Sequence, residues 1–380
     1  MRLGFDLRPF LREETGVGTY LKNLLLHLAQ IDRTNEYFLF SSSWQDRFPR
    51  DKIPPLTRMN FKDWRIPVKI LNLFWQRWGR PPLDLIFRAD LSLTHSATPL
   101  VLPTRGKKIV TVHDLFFMDF PEQAGKEAGG VFHRRAADSI RRADGVITFS
   151  SFTRNDLVSR FDIGEDKVKV IPHGLDRRFL EDVPPAELKA TRKRLKLPPA
   201  FLLFVGAQEP RKNLARLIDA LKIIHLHGIK IAAVLAGPAG EATETIRQKA
   251  KKLELKHWVD MTGYLPESDI RHIYRLASAF VFPSLCEGFG LPLVEAMASG
   301  IPVAASMSSA IPEVCGDAAL YFRPEDPENM AGKIVLILED QALKKNLIVK
   351  GLKRAQDFSW ERAAAETLRF YTSLAAKPET

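Results

Sequence analysis

Residues 201–236 read FLLFVGAQEPRKNLARLIDALKIIHLHGIKIAAVLA, two apolar runs on either side of a stretch with helical periodicity. The pattern predicts a strand at 201–205, a helix near 214–225 and a second strand at 231–236. Continuous apolar strands with a helix between them are typical of parallel sheets that are covered on both faces. This stretch therefore predicts an α/β domain with a doubly wound sheet.

The same alternation continues on both sides of this unit. Further strands are predicted at 3–7, 37–40, 109–112 and 145–149 in the first half, and at 258–262, 279–283, 302–305 and 320–322 in the second. The predicted helices include 19–30, 266–277, 292–299 and 328–339. We therefore predict an α/β chain of two Rossmann-like, doubly wound domains. We expect them to face each other across a cleft at the carboxyl ends of their strands.

A polar, proline-containing segment at 166–185 separates the two alternations. We place the N-terminal domain at residues 1–172 and the C-terminal domain at 173–357. His173 lies at this boundary in Ile171-Pro172-His173-Gly174, and we interpret it as a structural or hinge residue.

The 380-residue chain is basic, with 56 Lys and Arg against 45 Asp and Glu and a net charge of +11. Residues 1–178 hold 29 basic and 21 acidic residues, so the excess is concentrated in the first half. A basic surface suits phosphorylated substrates, anionic lipid or nucleic acid. Since nothing in the sequence apart from its charge favours nucleic acid, we predict no nucleic-acid partner.

Cys286 and Cys315 are the only cysteines, which excludes a disulfide scaffold and favours a reducing compartment. Asp6 interrupts the apolar run that a signal peptide would need, and no stretch approaches the length of a membrane-spanning helix. We therefore expect a cytoplasmic protein.

The strongest chemical signal is PSLCEGFGLPLVEAM at residues 283–297. A predicted strand ends, a glycine-rich turn follows, and Pro292 takes a position typical of the first turn of a helix. Backbone N–H groups at such a helix start can bind an anion, and the glycines let the backbone approach a phosphate closely. Glu287 in the turn and Glu295 inside the helix can accept hydrogen bonds from sugar hydroxyls. The alternative is a helix cap with Glu295 on a solvated face.

This stretch resembles the Glu-x7-Glu signature of family 4 of the retaining, nucleotide-sugar-dependent glycosyltransferases. Those enzymes have two Rossmann-like domains, an arrangement named GT-B, and the whole chain is similar to their order of parts. Within the family it most resembles mannosyltransferase-like members of bacterial polysaccharide assembly. The resemblance implies a catalytic Glu287 that faces the donor sugar and a Glu295 that binds the nucleotide ribose. It also implies diphosphate binding by backbone amides near Phe289, Gly290 and Leu291, and a last helix, in 358–380, that packs back on the N-terminal domain.

A second motif, VGAQEPRKN at 205–213, follows the first strand of the C-terminal domain. Arg211 and Lys212 resemble the family's diphosphate-binding cations, with Arg211 acting as a planar fork and Lys212 as a point charge. Many family members have a further arginine directly after the glycine, where this chain has Ala207. Taken alone, a pair of cations after a strand is also typical of a solvated turn.

The N-terminal domain contributes TGVGTY at 15–20, which resembles the family's glycine loop and places Gly16 beside the donor diphosphate. It is not a dinucleotide-binding Gly-x-Gly-x-x-Gly, because Leu21 occupies the third glycine's position. A tight strand-to-helix turn is the alternative interpretation.

His113 ends a predicted strand in TVHDL at 111–115, where side chains of parallel sheets project into a cleft. A neutral histidine can donate to a sugar hydroxyl, and the resemblance implies a catalytic histidine that contacts the donor sugar. A purely structural His-Asp pair is the alternative. In the C-terminal domain, Gly263-Tyr264-Leu265-Pro266 resembles the turn whose backbone meets the nucleotide base, so Leu265 is assigned to donor binding.

The sequence has no Asp-x-Asp and no histidine spacing typical of a metal site. We therefore predict no metal and no cofactor. The protein's cations and a helix dipole would stabilise the leaving nucleoside diphosphate instead.

The segment 64–88 interleaves tryptophans and aliphatic residues with arginines and a lysine at helical spacing. A helix of this composition can lie at an anionic membrane interface, and it can equally pack as an ordinary helix with arginines at its rim. Membrane contact would place the protein at the inner face of the membrane, beside a lipid-linked acceptor.

We therefore predict a retaining, metal-independent glycosyltransferase. It would move a hexose, mannose by resemblance, from a nucleotide sugar such as GDP-mannose to a saccharide or lipid-linked acceptor. A phosphorylase or a non-hydrolysing epimerase with the same two-domain fold stays open. So does a nicotinamide-dependent oxidoreductase, which would need a better glycine fingerprint.

Overall fold

The structure is a computed structural model that describes residues 1–10, 16–49, 52–119 and 130–376. The chain divides into two compact units. The N-terminal unit comprises Met1–Gly174 and the chain from Ser359 onward, and the C-terminal unit comprises Leu175–Phe358.

The N-terminal unit is built on a seven-stranded parallel sheet, as far as the described residues show. Its strands are β1 Arg2–Asp6, β2 Glu36–Ser42, β3 Met59–Trp64, β4 Leu93–Ser96, β5 Lys107–Thr111, β6 Gly145–Thr148 and β7 Val168–Val170. Their order across the sheet is β3-β2-β1-β4-β5-β6-β7. Its first six helices are α1 Gly16–Ile31, α2 Val68–Trp78, α3 Leu83–Phe87, α4 Phe116–Asp119, α5 Gly130–Arg142 and α6 Ser151–Phe161.

The C-terminal unit contains a six-stranded parallel sheet in the order β10-β9-β8-β11-β12-β13. The strands are β8 Phe201–Val205, β9 Ala232–Ala236, β10 Val259–Gly263, β11 Ala279–Phe282, β12 Val303–Ser306 and β13 Ala319–Phe322. The helices are α7 Pro185–Arg194, α8 Leu214–Leu226, α9 Thr243–Lys252, α10 Glu267–Leu276, α11 Leu291–Ala298, α12 Ile311–Cys315, α13 Pro327–Glu339 and α14 Gln341–Ala355.

The predicted fold class, two Rossmann-like doubly wound units, is confirmed. The central strands are apolar throughout, and in β9 all five residues are buried, as expected for a sheet covered on both faces. Helix α8 supports this arrangement, because Leu217, Ile218 and Leu221 form a buried stripe at helical spacing.

The last helix, α15 Trp360–Ala375, belongs to the N-terminal unit and packs on α1. Gly145, at the start of β6, permits the close approach of α15. A Cβ there would lie 2.7 Å from Phe370 Cζ. Residues 377–380, which the sequence analysis included in this helical segment, lie outside the described residues.

The prediction of one helix through 64–88 is wrong. Strand β3 ends at Trp64, and the helical part is divided between α2 and α3. Gly79 ends α2 in a left-handed conformation with φ of 62°, and prolines at 81 and 82 cannot continue it. Strand β3 itself is absent from the prediction because its sequence, MNFKDW, has no continuous apolar run and no residue in it is buried.

In each sheet the strand order reverses once, between β1 and β4 in the N-terminal unit and between β8 and β11 in the C-terminal unit. Loops that leave the carboxyl ends of two such strands diverge and create a crevice, the usual ligand position in open α/β sheets. In the C-terminal unit these are the loops after β8 and β11, which carry the two strongest motifs of the sequence.

Candidate active site

The loops after β8 and β11 are joined by buried hydrogen bonds. Asn213 Nδ2 donates to the carbonyl of Pro283 at 3.0 Å and to that of Pro324 at 2.8 Å. The backbone N–H of Leu285 donates to the carbonyl of Arg211 at 2.9 Å. A short 3-10 turn, Pro210–Lys212, ends at Asn213, whose left-handed φ of 57° turns the chain into α8. The two predicted motifs are therefore held side by side.

Glu287 accepts hydrogen bonds from both predicted cations. Lys212 Nζ lies 2.5 Å from Glu287 Oε1, and Arg211 Nη1 lies 2.9 Å from Glu287 Oε2. Glu287 and Lys212 are both buried, and the Glu287 backbone N–H donates to Ser309 Oγ at 2.8 Å. Burial raises the pKa of Glu287, but the charges of Lys212 and Arg211 outweigh it and lower the pKa to about 2. The carboxylate is therefore ionised at neutral pH.

Arg211 is also paired with a second acid. Its Nε donates to Glu209 Oε2 at 2.8 Å. Two cations and two carboxylates thus balance each other's charge, so any anion that binds Arg211 or Lys212 has to compete with protein carboxylates. The alternative of a solvated turn does not describe this arrangement, because Lys212 is buried.

Glu295 lies in α11 and accepts a hydrogen bond from Tyr274 Oη at 2.9 Å. Burial raises the pKa of Glu295 to about 7, and the nearby acids Glu267 and Asp176 add to the effect, against the lowering contribution of the Tyr274 hydrogen bond. A half-buried, hydrogen-bonded carboxyl does not fit the alternative of a solvated helix face.

The turn before α11 requires its glycine. Gly290 has φ of 102°, and a Cβ there would lie 2.8 Å from Leu293 Cδ1. Helix α11 begins at Leu291, with Pro292 in its first turn. Phe289 is buried, and its ring packs edge-on against Phe358 with centroids 5.5 Å apart. The backbone amides of this turn lie at the positive end of the helix dipole.

The carboxyl edge of β8, β9 and β10 ends in three glycines with positive φ, Gly206, Gly237 and Gly263. Gly206 N donates to Ala236 O and Gly237 N to Gly263 O, each at 2.9 Å. Leu265, the predicted base-binding residue, follows this edge and is buried.

In the N-terminal unit, His113 is packed among aromatic rings. Tyr20 and Phe149 lie 5.6 and 4.9 Å away between ring centroids. His113 Nε2 is 3.1 Å from the carbonyl of Ala97, so this nitrogen carries the proton. Burial lowers the pKa of His113 to about 4 and the ring is neutral. Its Nδ1 is therefore an acceptor, and the expectation that His113 donates to a sugar hydroxyl is reversed: the hydroxyl would be the donor.

Gly16 is the first residue of α1, and Thr15, which precedes it in the predicted glycine loop, lies outside the described residues. Gly16 is exposed, and a Cβ added there would meet no described atom within 4 Å. Nothing within the described protein requires glycine at this position.

The sequence reasoning did not find three partners of the site residues, Tyr274, Asn213 and Ser309. Tyr274 is buried and lies on the apolar face of α10, so its pattern is that of an ordinary core residue. Only its hydroxyl group distinguishes Tyr274 from other core residues, and sequence spacing does not show that this hydroxyl donates a hydrogen bond to Glu295.

Among residues 1–10, 16–49, 52–119 and 130–376, no three His, Cys, Asp or Glu side chains are grouped to hold a metal ion. None of the described helices has the length and apolar composition needed to cross a bilayer.

Comparison with known proteins identifies the chain. Residues 15–179 match the model of Glycosyltransferase Family 4, and residues 187–354 match that of Glycosyl transferases group 1. The chain is a glycosyltransferase. It is 27% identical to O-antigen chain mannosyltransferase B of Escherichia coli over 98% of this chain and 100% of that protein. It is 29% identical to the serotype-specific mannosyltransferase WbdA of Escherichia coli over 70% of this chain, which is 34% of the longer relative.

Solved structures show the same GT-B fold as this glycosyltransferase. Sucrose-phosphate synthase from Thermosynechococcus elongatus superimposes with a TM-score of 0.76 at 22% identity, covering 99% of both chains. HepE from Anabaena, in complex with UDP and glucose, superimposes with a TM-score of 0.75 at 18% identity, covering 98% of this chain and 100% of that one.

Proposed function

We propose that this glycosyltransferase moves mannose from GDP-mannose to a lipid-linked or growing polysaccharide, with retention of the anomeric configuration and without a metal ion. The main support for a donor site is the ion-pair cluster of Glu287, Lys212 and Arg211. It lies where the strand order of the C-terminal sheet reverses. The mannosyltransferase relatives support mannose as the sugar.

The cluster supports a diphosphate site that needs no metal. Lys212 and Arg211 supply two positive charges in a buried setting, where a phosphate is attracted more strongly than in water. A diphosphate that binds these cations releases Glu287 from them. The freed carboxylate can then accept hydrogen bonds from the donor sugar.

The other assigned residues would complete the donor site. Glu295, held by Tyr274, would accept from the ribose hydroxyls. Backbone groups at Leu265 would meet the base. His113 Nδ1 would accept from a sugar hydroxyl, and Gly16 would leave room for the diphosphate.

Retention in this proposal does not use a covalent nucleophile. The resemblance to family 4 implies a front-face displacement, in which the leaving phosphate takes the proton of the acceptor hydroxyl. Lys212 and Arg211 would stabilise the charge that develops on that phosphate. Exclusion of water is required because hydrolysis of the donor competes with transfer.

We propose a cytoplasmic location at the inner face of the membrane. Cys286 and Cys315 are not joined in a disulfide, which is typical of a reducing compartment. The relative named as an O-antigen chain mannosyltransferase supports an acceptor that is part of a growing polysaccharide.

The test offers the purified enzyme GDP-mannose, GDP-fucose, UDP-glucose and ADP-glucose, with a mannose-terminated lipid-linked acceptor, in EDTA and in Mg²⁺. We expect acceptor-dependent release of GDP from GDP-mannose at equal rates in both buffers, and an α-linked product by NMR. A β-linked product contradicts retention, and activity only with Mg²⁺ contradicts metal independence. Preference for another donor contradicts the assignment of mannose. Sugar phosphate formed on addition of inorganic phosphate would indicate the phosphorylase instead.

Two lysine variants connect this activity to the site. We expect Lys212→Met to weaken GDP binding about tenfold to a hundredfold, the value of a lost charge-assisted hydrogen bond. Lys222→Met is the matched control, because Lys222 lies on α8 in the same unit and pairs only loosely, at 3.6 Å, with the exposed Glu254. Equal GDP affinity in the two variants would contradict the assignment of Lys212.

A further inference from the structure

Helix α2 presents an apolar face to solvent. Ile70 and Leu73 are each 49% exposed, Phe74 is 45% exposed and Trp78 is 56% exposed. With Arg77 they follow the i, i+3, i+4, i+7, i+8 spacing of one helix face. The Phe74 and Trp78 rings lie 5.0 Å apart, and the Arg77 guanidinium is 6.0 Å from the Trp78 ring. We call these five residues the α2 face.

The opposite side of α2 fixes the helix to the N-terminal unit. Leu71 and Trp75 are buried in a cluster with β2 and α3. Trp75 Nε1 donates to the carbonyl of Pro81 at 3.0 Å. Arg8 lies over the Trp75 ring at 4.6 Å and donates to Asn72 Oδ1 at 2.7 Å. The α2 face is therefore a surface of a helix whose other side already forms core.

Every charged residue between Asp63 and Asp84, the segment that includes α2, is basic. Arg65, Lys69, Arg77 and Arg80 are all exposed, and no acid occurs between Asp63 and Asp84. Asp63 is paired with Arg47 at 3.3 Å, and Asp84 is buried. An apolar face flanked along the chain by exposed basic residues matches a partner that is apolar inside and negatively charged at its surface.

We propose that the α2 face docks on an anionic lipid bilayer. Trp78 and Phe74 would lie at the headgroup level, Leu73 and Ile70 would enter the acyl boundary, and the basic side chains would contact lipid phosphates. A second copy of this chain fits less well, because two such faces would bring like charges together. Nucleic acid fits less well, because Ile70 and Leu73, two of the four apolar side chains of the face, are aliphatic and do not stack on bases as Phe74 and Trp78 can.

Trp44 is a further exposed tryptophan, and its neighbour Ser43 pairs with the last residue of β3. Trp44 is 67% exposed in the segment after β2, and the Ser43 backbone N–H donates to Trp64 O at 3.1 Å. Trp64 ends β3, three residues before Pro67 caps the start of α2. An exposed tryptophan beside the amino-terminal end of α2 supplies a second interfacial anchor.

The test is flotation of the whole protein with vesicles of phosphatidylglycerol and phosphatidylethanolamine, compared with vesicles of phosphatidylcholine, without any donor. We expect binding to the anionic vesicles, weakened by salt. Phe74→Ser combined with Trp78→Ser should reduce the bound fraction at least about tenfold. Lys69→Gln combined with Arg77→Gln should reduce binding by about the same factor and make it less dependent on salt, because only Arg65 and Arg80 then remain.

Matched controls come from the C-terminal unit. Leu226→Ser with Val349→Ser removes exposed apolar side chains, 75% and 59% exposed, outside the α2 face. Lys251→Gln with Lys252→Gln removes two exposed lysines. Both control proteins should float like the unchanged protein. Because all four changes are at exposed side chains, the control proteins should have the same melting temperature as the unchanged protein.

Three outcomes overturn the proposal. The first is anionic-vesicle binding that the Phe74/Trp78 variant retains in full. The second is the absence of binding to any vesicle. The third is self-association in sedimentation velocity that this variant abolishes, since the α2 face would then pair with a second copy. None of these measurements uses donor or acceptor, so their failure leaves the proposed transfer reaction standing.

Discussion

Glu287 is a buried carboxylate that is paired with two cations, Lys212 and Arg211. Such a carboxylate can act in two ways toward a diphosphate. It keeps the cations in place, and it competes with the phosphates for them. Because the pKa of Glu287 is about 2, its charge is present throughout the neutral range and both actions operate there.

We expect Glu287→Gln to lose transfer by about a hundredfold or more, since an amide cannot replace the charge that the site provides. The same variant should bind GDP about threefold to tenfold more tightly, because Lys212 and Arg211 lose their competing carboxylate. Its free form should be less stable by up to about 3 kcal/mol, because the buried ammonium loses its counter-ion. Calorimetric titration and thermal unfolding measure the two effects.

Glu209→Gln is the companion variant, since Glu209 pairs with Arg211 and is more exposed than Glu287. It should tighten GDP binding less and keep transfer activity. If GDP binding weakens in Glu287→Gln as much as in Lys212→Met, then Glu287 serves to position the cations and does not compete with the diphosphate.

At the scale of single residues, the sequence was sufficient to identify candidate site residues but not to show which of them contact each other. Glu287 and Lys212 were both identified, yet 75 positions separate them, and no local spacing shows that they form an ion pair. The partner of Glu295 was missed for the same reason: Tyr274 belongs to a different helix and has the pattern of a core residue. The tautomer of His113 depends on the carbonyl of Ala97, which no side-chain pattern encodes.

At the scale of elements, glycines at the ends of strands and the start of a helix have different physical roles. A Cβ at Gly237, which follows β9, would lie 2.2 Å from the carbonyl oxygen of Gly206, and φ of 142° adds backbone strain. A Cβ at Gly16, at the start of α1, meets no described atom within 4 Å. The fold requires the first glycine, whereas no described atom crowds the second.

We therefore expect Gly237→Ala to lower the unfolding free energy by more than about 2 kcal/mol, because neither the backbone nor the neighbouring carbonyl can move freely. Gly16→Ala should leave stability within about 1 kcal/mol of the unchanged protein. It should nevertheless weaken GDP-mannose binding if the proposed diphosphate contact is made. Thermal unfolding and donor titration of both variants test the contrast, and unchanged donor affinity in Gly16→Ala counts against that contact.

The elements that the sequence predicted best are the apolar strands of the C-terminal sheet, whose burial on both faces leaves an unbroken apolar run. Strand β8 begins and ends where it was predicted. Strand β3 was missed because an edge strand without buried residues has no such run. The division of 64–88 follows from prolines and a glycine that were visible in the sequence, but the apolar periodicity outweighed them in the prediction.

At the scale of the whole molecule, the N-terminal unit encloses three histidines that cannot easily take a proton. Burial lowers the pKa of His95 to about 3 and that of His113 to about 4, and it lowers the pKa of His173 well below the usual value. His95 contacts Tyr371 Oη at 2.5 Å and Thr111 Oγ1 at 2.7 Å, while His173 stacks on Phe149 at 3.7 Å. These rings stay neutral in the folded unit.

We expect the N-terminal unit to lose stability as the pH falls below about 6.5, because the unfolded chain then binds protons that the folded unit excludes. By about pH 5 the loss is about 2 kcal/mol for each such histidine. Glu295 in the C-terminal unit acts with the opposite sign. Its pKa is raised to about 7, so the folded state binds the extra proton between about pH 7 and pH 4.5.

Urea unfolding of the whole chain at about pH 7.5 and about pH 5 measures the net effect of the histidines and Glu295 on the free energy of unfolding. His95→Gln removes one excluded proton, so it should reduce the difference in unfolding free energy between the two pH values by about 2 kcal/mol, whatever its absolute stability. His257→Gln, which replaces an exposed histidine, should leave the difference unchanged. A difference that His95→Gln does not alter would show that this ring is not excluded from protonation.

Helix α15 is the last described helix in the chain, although it completes the unit that the chain began. The 184 residues of the C-terminal unit intervene. At ordinary rates of protein synthesis the ribosome needs roughly 10–40 s to make them. During that interval His95 has no Tyr371 to contact, and α1 has no α15 to pack against. The later half of the chain can therefore finish folding before the earlier half, and a chain cut short anywhere before Trp360 never completes its first unit.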